Sequence, residues 1–149
     1  ANDKNATFPR ISPDGKYLMY CECDYGSFPI HHPESEIRML NLSTMTVDSL
    51  SIANSGDADS FHNWSADSHW FVFCSRRDDG LHTRLYIGHI DNEGHCDKPF
   101  MLPQENPKRY YSDLFQSYNT PDFCDDLVDI DHQWLLANLK KGGQKVTLK

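Results

Sequence analysis

The residues best placed to do chemistry form two short clusters. His31-His32 with Glu34 lies in a Pro-flanked stretch, and adjacent imidazoles beside a carboxylate are the raw material of a metal site. The surrounding sequence supplies no HExxH pair, no Cys/His finger spacing and no third ligand at a definable distance. The expectation is solvated loop histidines and no metal. The second cluster is Arg76-Arg77-Asp78-Asp79. In a chain of formal net charge -8, a double Arg can tie neighbouring segments together through the adjacent Asp, or it can grip a carboxylate of a partner. His31, His32, Arg76 and Arg77 are therefore the candidate interaction residues.

Other chemistry finds less support. Asp91-Asn92-Glu93-Gly94-His95-Cys96-Asp97 begins like an acidic loop but lacks the alternating ligands and closing Glu of an EF-hand. Asp122, Asp125, Asp126, Asp129 and Asp131 read as a solvated acidic face. There is no Gly-x-Ser-x-Gly elbow, no P-loop and no dinucleotide Gly-rich loop, so no catalytic residue and no cofactor is expected. Five cysteines occur without a CxxC pair, and Cys21-Glu22-Cys23 puts two thiols on one face of a strand. Buried thiols are the expectation, with one disulfide open if the protein is extracytoplasmic.

The elements that must carry these residues are set by an internal repeat. Phe8 to Cys21 aligns on Phe61 to Cys74 at a constant offset of 53, with Phe, Ser, Asp and Cys identical and the apolar positions matched in kind. Ile37 to Leu42 then aligns on Leu85 to Ile90 at an offset of 48. The difference falls where the first copy has the loop Gly26 to Pro33 and the second has the shorter Asp78-Asp79-Gly80-Leu81.

Each copy reads as four strands. The first ends in a turn, Ser12-Pro13-Asp14-Gly15, with Pro and Gly where a type I turn favours them. The second, Lys16 to Glu22 or His69 to Ser75, is apolar on both faces, as in a sheet sandwiched between neighbours. The third covers Glu36 to Leu42 or Thr83 to Ile90, and the fourth Val47 to Ile52 or Lys98 to Leu102. Pro99, Pro103 and Pro107 are expected to close the second copy. Beyond them, Tyr110 to Tyr118 has helix-like spacing, and a second helix is expected after Asp131 as N-cap, stopped by Gly142-Gly143. The tail from Gln144 reads as a frayed end or an edge strand. Phe61, Trp64 and Trp70 are expected between the two units.

Phe8-Pro9-Arg10-Ile11-Ser12-Pro13-Asp14-Gly15-Lys16-Tyr17-Leu18-Met19-Tyr20 resembles the Pro-Asp-Gly propeller repeat of the TolB family, and Ser75-Arg76-Arg77-Asp78-Asp79-Gly80 resembles its second signature. The resemblance covers about residues 7 to 102. It departs in the second copy, where Ala66 and Ser68 replace Pro and Gly. What it implies is an all-β fold: two four-stranded antiparallel propeller-type blades, about 7–57 and 60–107, followed by a partly helical extension over 108–149. Propellers close with about 4–8 blades. Two are a partial β-propeller, whose open edges favour self-association. The resemblance further implies a non-catalytic protein-interaction or scaffold module of a bacterial, periplasmic or envelope-associated protein, with a protein partner. The alternative is an accessory domain of a larger hydrolase or peptidase.

Composition agrees with this and excludes other classes. With 149 residues the chain can bury a core, and 12% aromatic against 38% hydrophobic residues suits short strands packed through rings. The acidic balance offers no basic stripe for nucleic acid, and no apolar run is long enough to span a bilayer. Starting at Ala1, the chain reads as a piece excised from a longer protein.

Overall fold

In the computed structural model, which describes residues 3–126 and 129–141, the chain forms two four-stranded antiparallel sheets and two short helices. The first sheet runs in chain order through β1 (Asn5–Ile11), β2 (Tyr17–Cys23), β3 (Glu36–Asn41) and β4 (Thr46–Asp48). The second repeats that order with β5 (Asp59–Trp64), β6 (Trp70–Ser75), β7 (Arg84–His89) and β8 (Phe100–Met101). The expected all-β chain of two four-stranded units is what is found.

The repeat extends to the backbone. The Gly15 amide donates to the Ser12 carbonyl at 2.8 Å, and Gly15 takes φ +74°, where glycine has no Cβ penalty. In the second copy the Ser68 amide makes the same bond to Ser65, with Ser68 at φ +65°. The path survives without glycine because Asp67 accepts from Ser65 Oγ and the His69 amide, as Asp14 does from Ser12 Oγ and the Lys16 amide. Ser68 also accepts from the Asp14 amide across the two sheets at 3.0 Å.

Both first strands break register at the same repeat position, between Thr7 and Arg10 and between Ser60 and Asn63. Phe8 (φ +52°) and Phe61 (φ +54°) sit in these bulges with positive φ, unusual for an aromatic residue. Their rings meet edge-on at 5.0 Å.

The sheets pack through non-equivalent faces. From the first sheet the core takes Tyr17, Met19, Cys21, Ile37 and Met39; from the second it takes Trp64, Phe71, Phe73 and Tyr86. By the 53-residue offset, Phe71 and Phe73 correspond to Leu18 and Tyr20, which point the other way and stay half-buried. The expected burial of strand two on both faces is therefore found in β6, buried along nearly its whole length, but not in β2, which alternates because its outer face is uncovered. Trp64 lies between the sheets as expected, whereas Trp70 faces outward beside Phe100, because β6 alternates and Phe71 takes the inward position.

Gly88 lies directly opposite Phe71, and a Cβ there would come within 2.3 Å of the Phe71 ring, which is fully buried. A strand glycine with a ring lying across it tolerates no side chain. Gly88→Ala is expected to destabilise by about 1–3 kcal/mol through overpacking, measured as a lowered urea midpoint.

The outer strands and the extension differ from expectation in their bounds. β4 stops at Asp48, whose carboxylate accepts the Leu50 amide at 2.7 Å while Leu50 adopts φ +47°. β8 has only two residues, Phe100 and Met101, between Pro99 and Pro103, which lack the donors to prolong it. Pro107 opens a helix instead of closing the repeat. α1 is Pro107–Ser112, replacing the expected Tyr110–Tyr118 helix, because Asn106 caps the Arg109 amide and Pro107 suits the first helical turn. α2 (His132–Leu139) has the expected cap, with Asp131 accepting from the Gln133 and Trp134 amides. Its expected stop at Gly142-Gly143, and the tail after it, lie outside the described residues. No helix among the described residues is long and apolar enough to cross a membrane.

Candidate functional site

The longer loop of the first copy folds into a single 3-10 turn over Pro29–His31, which buries Pro29 and packs Ile30 against Ala58, Phe61 and Cys74. Its anchoring leaves Phe28 exposed at 63% and brings His31 to the second sheet, where the Arg76 guanidinium donates to His31 Nδ1 at 3.3 Å. Arginine cannot accept, so Nδ1 is the acceptor and the ring's proton sits on Nε2.

The extension approaches the same place from the other side. Arg84, 4% exposed, donates to the carbonyls of Gln116 at 2.8 Å and Leu114 at 3.0 Å, pinning the chain after α1 to β7. Thr83 Oγ1 donates to the Tyr118 carbonyl, and Asn63 Nδ2 donates to the Pro121 carbonyl at 2.6 Å. These bonds need no periodicity in residues 113–121, which explains why spacing read part of this segment as helix.

Between loop and extension lies a cleft of about 550 Å³. Phe8, Phe28, Ile30 and Phe61 make an apolar wall; Ser117, Asn119 and Thr120 make a polar one; His31 and Arg76 stand among them. A concave, mainly apolar space of this size with a few convergent polar groups has the usual form of a ligand site. The two strained bulges at Phe8 and Phe61 lie within it.

Of the four sequence candidates, the fold unites His31 and Arg76 here and separates the other two. His32 Nδ1 lies 3.2 Å from Glu34 and its ring packs edge-on against Tyr25, so the adjacent histidines do not converge. Arg77 is part of the framework. It donates to buried Asp59 at 2.8 Å, to the Ala53 carbonyl at 2.7 Å and to Ser75 Oγ at 2.8 Å, with its guanidinium 4.3 Å from the Tyr86 ring centre. The tie across segments thus runs through Asp59. The adjacent Asp78 instead accepts from the Tyr86 hydroxyl, whose pKa is raised first by burial and then by that carboxylate.

Phe28, Ser117, Asn119 and Thr120 carried no signal of their own in the sequence. The loop length difference located the first, and the extension after Pro107, outside the repeat, located the stretch that holds the others without singling them out. Asp91 of the acidic loop accepts from the Glu93 and His95 amides, which makes it a turn former. Among the described residues no three His, Cys, Asp or Glu side chains gather to hold a metal ion. Cys21, Cys23 and Cys74 are buried free thiols, Cys96 is half-buried and Cys124 exposed.

Among the described residues the nearest approach to a catalytic pair is Cys21 with His62, Sγ to Nδ1 3.5 Å, both buried. Burial pushes the Cys21 thiol up to about 11 and the His62 imidazole down to about 4. At neutral pH this is a thiol beside a neutral ring, without the thiolate that a nucleophile requires. No protein-family model matches the chain, and no curated protein matches it significantly.

Proposed function

We propose that this chain is a non-catalytic protein-binding module of propeller type, in a bacterial cell-envelope protein, and that it binds through the cleft between the loop and the extension. The observation that carries the reading is that the two stretches lying outside the repeat, the Gly26 to Pro33 loop and residues 117–120, meet in one cleft. Repeated elements supply the framework, and the unrepeated ones supply the surface that distinguishes this protein from any other built on it.

The propeller reading draws on the packing. The first sheet presents outward Leu18 and Tyr20, the counterparts of Phe71 and Phe73 that are buried between the two sheets, and head-to-tail stacking continues from such a face with a further blade. Envelope localisation comes from the TolB-like resemblance.

Retention of proteins from a bacterial envelope extract, compared between the native chain and Phe28→Ala, tests the reading. A defined set of proteins is expected to be retained by the native chain and reduced at least tenfold by the variant. Equal retention by both, or turnover of ester or peptide substrates by the purified protein, overturns it.

A further inference from the structure

We infer that the cleft receives the C-terminal carboxylate of a peptide chain whose last side chain is large and apolar; this rests on the reading of the cleft as the binding site.

Charge is the first argument. The chain is acidic, and Arg38, Arg77 and Arg84 each have a carboxylate within 4 Å. Arg10, Arg76 and Arg109 have no carboxylate partner among the described residues, and of the three only Arg76 lines the cleft. Its Nε is buried without any hydrogen-bond partner, and of its terminal nitrogens Nη2 is engaged by His31 Nδ1. A guanidinium presents five donors in a fork matched to a carboxylate, and an under-satisfied one inside an apolar cleft favours an anion strongly. Ser117, whose Oγ accepts from the Thr83 amide, keeps a hydroxyl proton for the same anion.

Proximity is the second argument. Arg76 and the phenylalanine wall share one small cleft, so a ligand must carry its charge and its apolar group close together. A chain terminus attaches both to one carbon. An internal Asp or Glu puts the carboxylate at the end of a flexible stem and brings two flanking peptide groups that the apolar wall cannot hydrogen-bond.

Calorimetric titration with three short peptides tests this: N-acetyl-Ala-Ala-Phe as the free acid, the same peptide as its C-terminal amide, and N-acetyl-Ala-Glu-Phe amide. The free acid is expected to bind at least tenfold more tightly than either amide. Arg76→Gln is expected to erase that difference, while Lys98→Gln, an exposed cation outside the cleft, leaves it unchanged. Because Arg76 is half-exposed, the variant's urea midpoint is checked alongside, and an unchanged midpoint assigns the loss to binding.

Equal binding of acid and amide, no binding of any of the three, or persistence of the difference in Arg76→Gln overturns the inference. Tight binding of the Glu amide replaces the terminus with a side-chain carboxylate and overturns it equally. If these fail while Phe28-dependent retention from envelope extract holds, the carboxylate assignment alone falls; if both fail, the binding module falls with it.

Discussion

Asp59→Ala is expected to remove about 3–5 kcal/mol of stability, the cost of leaving a buried ion-pair partner uncompensated. Asp59 is fully buried on β5, and every contact to its carboxylate comes from a donor: the Arg77 guanidinium at 2.8 Å, the Ser55 amide at 2.6 Å and the Ser55 hydroxyl at 2.8 Å. Removing it strands Arg77, already enclosed by Ala53, Ser75, Phe73 and Tyr86. For a domain whose total stability is about 5–15 kcal/mol, that loss is a large share. Asp59→Asn should cost less, since an amide oxygen can still accept from Ser55. Urea denaturation at pH 7 measures both, with the midpoint falling in the order native, Asn, Ala at similar slope.

Acidification from pH 6.5 to 4 is expected to cost about 3 kcal/mol through His62 alone. The unfolded chain protonates this ring near its ordinary value of 6.5, whereas burial holds the folded-state value at about 4. Above pH 6.5 the ring is neutral in both states and costs nothing. As pH falls, the unfolded state takes up the proton first, so stability declines across that window and levels off below about 4. Burial is the largest cause of the depression and outweighs the Met19 and Phe8 carbonyls, which favour the charged ring.

Carboxylates act in a lower window. Burial opposes ionisation of Asp79, but the His82 and Leu81 amides and the His82 ring together hold it down at about 2. Its contribution is lost only as pH falls from 3.8 toward 2. The stability of His62→Gln, followed by urea titration at intervals of pH, is therefore expected to fall much less from 6.5 to 4 than that of the native protein, the remaining loss near 4 coming from carboxylates such as Glu34 that the fold holds below their ordinary values. Parallel curves for the two proteins would remove His62 from the account.

Much of the fold is legible because its causes are local or periodic. The Ser12-Pro13-Asp14-Gly15 turn and the Asp131 cap each depend on residues within a few positions of one another, whereas the alternation of β2, which reads as apolar on both faces, depends on what covers its outer side. The start of α1 has an equally local cause, Asn106-Pro107 being a cap followed by a first-turn proline, but the reading of Pro107 as the close of the second copy passes over it. Helix-like spacing of Tyr111, Leu114 and Tyr118 competed with it. The cap decided the start, and the Arg84 bonds to the Gln116 and Leu114 carbonyls hold the later residues to β7, outside any helix.

The site divides along the same line. The repeat by itself determined two sheets of four strands, the positions of the paired phenylalanines, and the loop and extension as the stretches outside the common plan. Arg76 and Arg77 are adjacent in sequence and of one chemical type, so nothing local separates their roles. Alternation in and beyond β6 turns Arg77 toward Asp59, 18 residues away, and Arg76 toward His31, 45 residues away. Only the tertiary structure decided which arginine is framework and which faces the cleft. Such contacts are set by how two sheets stack and by where an aperiodic segment finds hydrogen-bond partners, and neither leaves a pattern along the chain.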